Sequence, residues 1–237
     1  ICRAMMAVLA SPRFLFRVES PEPGAAPGRH APIDEWSLAS RLSYFLWSSL
    51  PDDELFALAG RGELRRNLRA QVDRMLRDPK AQALVRNFTG QWLQARDVES
   101  VPINARVVLG PGARPNRDGR VEFDGTFRRL MRSETEAYFE HILRGDRSLL
   151  ELVDSDYAFL NAKLAEHYGV PGVEGDDLRK VILPPGSPRG GIITQGTVLA
   201  VTSNPTRTSP VKRGVFILDN ILGTPDRKST RLNSSHS

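Results

Sequence analysis

Apolar residues along this chain recur mostly at helical spacing, broken by glycine and proline. Between Asp34 and Ser49, the positions Leu38, Leu42, Phe45 and Leu46 fall on one apolar helix face. Asp34 is placed to cap that helix and Pro51 to stop it. The stretch PDDELFALAGRG reads as a short helix with an acidic start and a glycine end. Leu64, Leu68, Val72, Met75 and Leu76 form the next stripe. Asp78–Pro79 then reads as a cap followed by proline at the first helical position, opening a helix that carries Leu84, Val85, Phe88 and Trp92. Four amphipathic segments with short connections predict a helical bundle.

Residues 95–120 read as loop, because GPGARPNRDG holds no regular element. A long helix is predicted over about 121–144, with Phe123, Phe127, Leu130 and Met131 on one face. SLLELVDSDYAFLNAKLAEHYG gives two short helices, the second closed by Gly169. KVILPP suits a short strand, and GGIITQGTVLAVT is apolar enough for a helix or a buried strand, with helix preferred. SPVKRGVFILDNILG is a last helix ended by Gly223. The expected fold class is mainly α: a multi-helical, bundle-like domain followed by a smaller helical domain with little or no strand.

The breaks set the expected boundaries. Residues 1–19 read as the tail of an upstream helical domain and 20–32, SPEPGAAPGRHAP, as a proline- and glycine-rich linker. A helical domain is expected over 33–170 and a second over 171–225. DRKSTRLNSSHS, 226–237, is polar and aperiodic and is expected to be a non-native tail. With 237 residues the chain is long enough to bury a core without disulfides or metal. Its one cysteine, Cys2, leaves no internal disulfide framework and no cysteine-rich metal site. The net charge of +5 is spread among interleaved acids and bases, which does not favour nucleic acid as a partner. No apolar run approaches the roughly 20 residues of a membrane span.

The densest candidate chemistry lies in TSNPTRTSPVKRG, 202–214. Ser209–Pro210 is a helix start by composition. Arg207, Lys212 and Arg213 are not explained by a helix start, because cations oppose the dipole at that end. Together with Thr208 and Ser209 they form a candidate anion-binding group; the alternative is pairing with carboxylates of the earlier helical domain. GSPRGGII has the spacing of a phosphate loop from Gly186 to Gly191, but Ile192–Ile193 replace the lysine and hydroxyl that such chemistry needs. DSDYAF begins like a calcium loop and fails at Ala158 and Phe159, leaving Asp154 and Asp156 as turn and cap residues. Glu134 lies on the apolar stripe of the long helix, with His141 seven residues on, and these are the weak catalytic candidates. Seven helical residues span about 10.5 Å, too far for contact without a third group. His167, near a helix end, suits a capping role. No metal-ligand spacing is present, so no metal is expected.

Several longer phrases occur in one familiar order: LASRLSYFLWSSLPDDEL, RMLRDP, FTGQWL, DYAFLNAKLAEHYGV and RGGIITQGTVLAVTSNPTRTSPVKRGVFILDNILGTP. The chain resembles the planctomycete-type cytochrome-c-associated domains of unknown function. Residues 33–162 resemble the domain-of-unknown-function family numbered fifteen-ninety-two, and residues 175–225 the one numbered fifteen-eighty-eight. The resemblance implies a fragment of a large, exported, multidomain bacterial protein, periplasmic or extracellular, with haem c in domains beyond this fragment. It implies other domains of the same parent chain as partners. It carries over no catalytic residues. The function expected first is a non-catalytic helical module without a cofactor of its own. The alternatives are a polymer-acting enzyme domain, for example on polysaccharide, using Glu134, His141 or Asp156, and an anion- or nucleic-acid-binding module.

Overall fold

The computed structural model describes residues 2–16, 19–22, 24, 32–104, 107 and 124–224. The expected tail 226–237 and most of the linker and of the 105–123 loop, Phe123 included, lie outside them. The chain divides into two compact units, 1–84 and 85–237. The fold is mainly α, with one two-stranded sheet among the described residues.

The first unit opens with α1 (Cys2–Leu9), which buries none of its residues, and α2 (Pro12–Leu15). Two stretches of the proline-rich segment pair across it: Pro21 bridges Ile33, and Glu22 N–H donates to Pro32 O. α3 (Glu35–Trp47) starts where expected, because the Asp34 carboxylate accepts the Ser37 N–H. Its buried face is Ser37, Ala39, Ser43, Leu46 and Trp47. Phe45, expected on the apolar face, is instead 64% exposed. At about 100° per residue, a helix that turns Ala39, Ser43 and Leu46 inward must turn Phe45 outward. The small residues on that face let α4 (Asp53–Gly60) pack close to it.

α5 (Leu68–Arg77) completes this unit's main packing, and Trp47 Nε1 donates to Met75 O across it at 3.0 Å. Asp52 has two tasks here. It caps α4 by accepting the Leu55 N–H, and it takes a two-point grip from Arg74 at 2.7 and 3.1 Å. Asp52→Ala should therefore destabilise this unit by about 2 kcal/mol. The urea midpoint measures it, and an unchanged midpoint would show that neither bond matters.

α6 (Gln82–Trp92) carries the boundary between the units. The second unit is built around α7 (Gly125–Arg144), capped by Asp124, which accepts the Phe127 N–H at 2.8 Å. Its buried stripe runs Phe127, Met131, Glu134, Thr135, Tyr138, Phe139 and Ile142, the repeat of an inward helix face. Tyr138, Phe139 and Ile142 pack with Val85, Leu93, Leu152, Ile192, Val198 and Phe216. Phe127 and Met131 pack with Val98, Leu160, Leu164, Leu183 and Ala200.

β1 (Tyr157–Leu160) pairs antiparallel with β2 (Arg179–Ile182), in the register Tyr157 to Ile182. The expected short strand in KVILPP is therefore present, and its partner lies in DYAFLN, which the pattern does not separate from its helical neighbours. A 3-10 turn at Leu149–Leu152 and α8 (Ala162–Tyr168) are the two short helices expected there, and Gly169 closes the second at φ +70°. A 3-10 turn at Ile192–Thr194 leads into α9 (Gly196–Val201). α10 (Pro210–Phe216) runs on into a π turn at Ile217–Ile221, and Gly223 follows at φ +60°. The boundary expected at 170–171 falls inside this unit.

Candidate functional site

Glu134 is 1% exposed at the centre of α7. Its Oε2 accepts the Tyr168 hydroxyl at 2.6 Å, and Tyr168 Oη accepts the Gly196 N–H at 2.8 Å. Glycine at 196 leaves room for this contact, because a Cβ there would meet Tyr168 Oη and Met131 Cε at 2.8 Å and one of the two side chains would have to shift. The Arg189 guanidinium stacks 3.8 Å over the Tyr168 ring and donates to Thr194 O at 3.0 Å. Burial pushes the Glu134 carboxyl up to about 8, against the smaller downward pulls of the Tyr168 hydrogen bond and the Arg189 charge. Burial and the neighbouring Glu134 raise the Tyr168 phenol well above its ordinary value. A neutral acid and a neutral phenol thus hold each other in the core at pH 7, the geometry of a locking hydrogen bond.

His141 sits elsewhere on α7 and shares no hydrogen bond with Glu134. Its ring packs against Tyr157 and Phe159, each 5.4 Å away between centroids. Lys180 Nζ lies 3.2 Å from His141 Nε2 and 3.9 Å over the Tyr157 ring. Nε2 is therefore assigned as acceptor, which puts the ring proton on Nδ1. Partial burial, then the charges of Lys180 and Arg147, hold the imidazole below its ordinary value. Tyr157 in turn donates to Glu151 Oε2 at 2.6 Å, and Arg147 Nε donates to the same oxygen at 2.7 Å. Lys180→Met should raise the His141 titration midpoint toward the free-imidazole value. An NMR pH titration reads the shift, and no movement would dissolve the pairing.

The basic loop is divided by the structure. Ser209 caps α10 as expected, its Oγ accepting the Lys212 N–H at 3.3 Å. Arg207 closes a turn with Asn204, whose N–H it accepts at 2.9 Å. Arg207, Thr208 and Lys212 are exposed. Arg213 turns away to the last turn of α9, donating to Thr202 Oγ1 and Leu199 O at 3.3 and 3.4 Å. That is the carbonyl end of a helix, where a cation is favoured. His167 packs edge-on against Phe127, 4.8 Å between ring centroids.

Among the described residues, the second unit has at least two clefts. One, of about 630 Å³, is lined by Glu99, Asn104, Arg128 and Pro205 among others. Its Arg128 donates to the carbonyls of Val98 and Val101. The other, of about 500 Å³, lies between the 154–156 loop and the 182–189 loop, with Asp154, Asp156 and Arg189 in its lining. Its shape depends on the close approach of two backbones. A Cβ on Gly190 would lie 2.3 Å from Ser155 O, and one on Gly191 would lie 2.2 Å from Val153 O. Gly190 and Gly191, at the end of the failed phosphate loop, therefore have a packing task.

Sequence reasoning did not reach Tyr168, Lys180 or Arg189. Tyr168 lies 34 positions from Glu134, and no local spacing links them. Gly190–Gly191 next to Arg189 was the one available signal, since paired glycines mark close backbone approach. Among the described residues no group of histidine, cysteine, aspartate or glutamate could hold a metal ion, and no helix is long and apolar enough to cross a membrane.

The family model PSD4, protein of unknown function (DUF1592), matches residues 33–170. The chain belongs to this family. A second model, PSCyt3, protein of unknown function (DUF1588), matches residues 189–234 and so reaches into the stretch expected to be a foreign tail. The two follow in the order that the sequence phrases implied. No curated protein and no solved structure matches the chain. Glu134, His141 and Tyr168 belong to the PSD4 match, and Arg189, Gly196 and the basic loop to the PSCyt3 match.

Proposed function

We propose that this chain is a helical framework module of a larger exported protein, in which residues 85–170 of the PSD4 match and the PSCyt3 segment act as one body and a haem c domain of the parent carries the redox chemistry. The observation that carries the reading is the Glu134–Tyr168–Gly196 lock, which ties that part of the PSD4 match to the PSCyt3 match inside one compact unit. Further bonds across the same two segments support it: Thr135 Oγ1 donates to Gln195 Oε1, Thr197 Oγ1 to Met131 O, and Trp92 Nε1 to Asn220 O. Buried polar pairs of this kind rigidify a core and specify one arrangement of it. The haem association rests on the resemblance to cytochrome-c-associated domains, with which the name PSCyt3 is in keeping. With one cysteine and no Cys-x-x-Cys-His, this chain has no residues to attach haem c covalently, so the group would be held by another domain.

The experiment is to sequence the parent locus upstream of Ile1 and past codon 225. The expected result is an open frame in which a signal peptide and a Cys-x-x-Cys-His appear. A start codon and a stop codon that bracket these residues as given would overturn both export and haem association.

A further inference from the structure

The 500 Å³ cleft has a lining whose chemistry is specific. Its lining includes Asp154 and Asp156, whose carboxylates make no hydrogen bond or ion pair among the described residues, with Ser187 and Arg189. Ile182, Pro184 and Pro185 add apolar surface to the same lining, with Ile182 64% exposed. The volume is within the range of small-molecule sites. The walls are held from behind. Ser155 Oγ accepts from Tyr138 at 2.7 Å and from Gly191 N–H at 3.3 Å, and donates to Tyr157 O. Gly190 and Gly191 press against the 153–155 backbone, and Gly186 turns the opposite loop at φ +76°. Arg189 is fixed by its stack on Tyr168 and its bond to Thr194 O, which leave further N–H donors of its fork available.

The charges select the ligand. A simple anion would meet two unpaired carboxylates. A simple cation would be drawn by two carboxylates against one guanidinium, but would leave the apolar part of the lining unused. A neutral ligand dense in hydroxyl groups satisfies both, because each hydroxyl donates to a carboxylate or accepts from the arginine. Such a ligand with one hydrocarbon face also suits the apolar surface that Ile182 and the two prolines bring to the lining. A pyranose ring has that division between a hydroxyl edge and a C–H face.

We propose that this cleft binds a neutral sugar unit of an oligosaccharide, with Asp154, Asp156 and Arg189 taking its hydroxyls and Ile182, Pro184 and Pro185 taking its C–H face. The assignment is independent of the haem association, since it rests on the cleft alone.

The test uses the full chain and isothermal titration calorimetry with cellohexaose, xylohexaose and mannohexaose, and with spermidine and inorganic phosphate as charged probes. The expected result is binding of at least one hexasaccharide with a Kd of about 1 mM or tighter, weakened about tenfold or more in Asp154→Ala/Asp156→Ala and in Ile182→Ser. Both sets of side chains are exposed, so the variants should melt with the parent chain, and a thermal scan checks that they do. Three outcomes overturn the proposal: no heat with any hexasaccharide, equal binding by the variants, or spermidine or phosphate binding that is lost in the same variants while the sugars do not bind.

Discussion

Gly191→Ala should destabilise the second unit by about 3–5 kcal/mol, the largest effect expected of any single methyl group in this chain. Two costs coincide. Gly191 has φ +70° with ψ 171°, a conformation open almost only to glycine, which costs an ordinary residue about 1–3 kcal/mol. The added Cβ would also lie 2.2 Å from Val153 O and 2.8 Å from Leu152 O, both backbone atoms that cannot swing aside. Relieving that clash separates the 190–195 segment from the 3-10 turn that precedes β1. Ile192, buried at 1% exposure beside Tyr138 and Val198, would be drawn out with it. Gly186→Ala provides the control. It shares the left-handed φ, at +76°, but has nothing within 4 Å of the new Cβ. It should cost about 1 kcal/mol. Urea unfolding followed by circular dichroism measures both, and equal losses would mean that backbone conformation, not close approach, explains both glycines.

Glu134→Gln should flatten the pH dependence of stability and make the variant the more stable protein at alkaline pH. The folded carboxyl titrates at about 8, above its ordinary value of 4.5, chiefly because burial penalises the charge. Between those two values the unfolded chain has released the proton while the folded chain retains it. Stability therefore falls as pH rises through this window, and below it the group contributes no penalty. Each pKa unit corresponds to about 1.4 kcal/mol, so the contribution across the window reaches several kcal/mol. The amide stays neutral throughout and still offers Tyr168 an acceptor oxygen. Urea midpoints of both proteins at pH 4, 6 and 8 should diverge in that order, with the parent chain falling away. Parallel curves would show that Glu134 ionises freely in the fold. Glu134→Ala removes the acceptor as well, strands the Tyr168 hydroxyl in the core, and should be about 2 kcal/mol less stable than Glu134→Gln at every pH.

The helix starts were legible in the sequence because a cap acts over three residues. Asp34, Asp78 and Ser209 each accept the backbone N–H they were placed to accept, and Gly169 ends its helix in the left-handed conformation. The stripe on α7 was legible for the same reason, a repeat of 3.6 residues. Phe45 shows where that reasoning slips. Two stripes competed on one helix, and the one with smaller residues, Ala39 and Ser43, was buried because it admits a neighbouring helix. DYAFLN was misjudged because its partner strand lies 19 to 25 positions away.

What the sequence alone determined is the helical class, the order of the two family segments, the caps, and the lack of a haem attachment motif. All of these depend on residues near one another in the chain. What the tertiary structure decided is who meets whom. It gave Glu134 to Tyr168 and His141 to Lys180, and it sent Arg213 to the end of α9. It pressed Gly190 and Gly191 against the 153–155 backbone, and it lined one cleft with Asp154, Asp156 and Arg189. These meetings join positions 11 to 39 residues apart, and chain closure over such distances is governed by packing of the whole core rather than by any local preference.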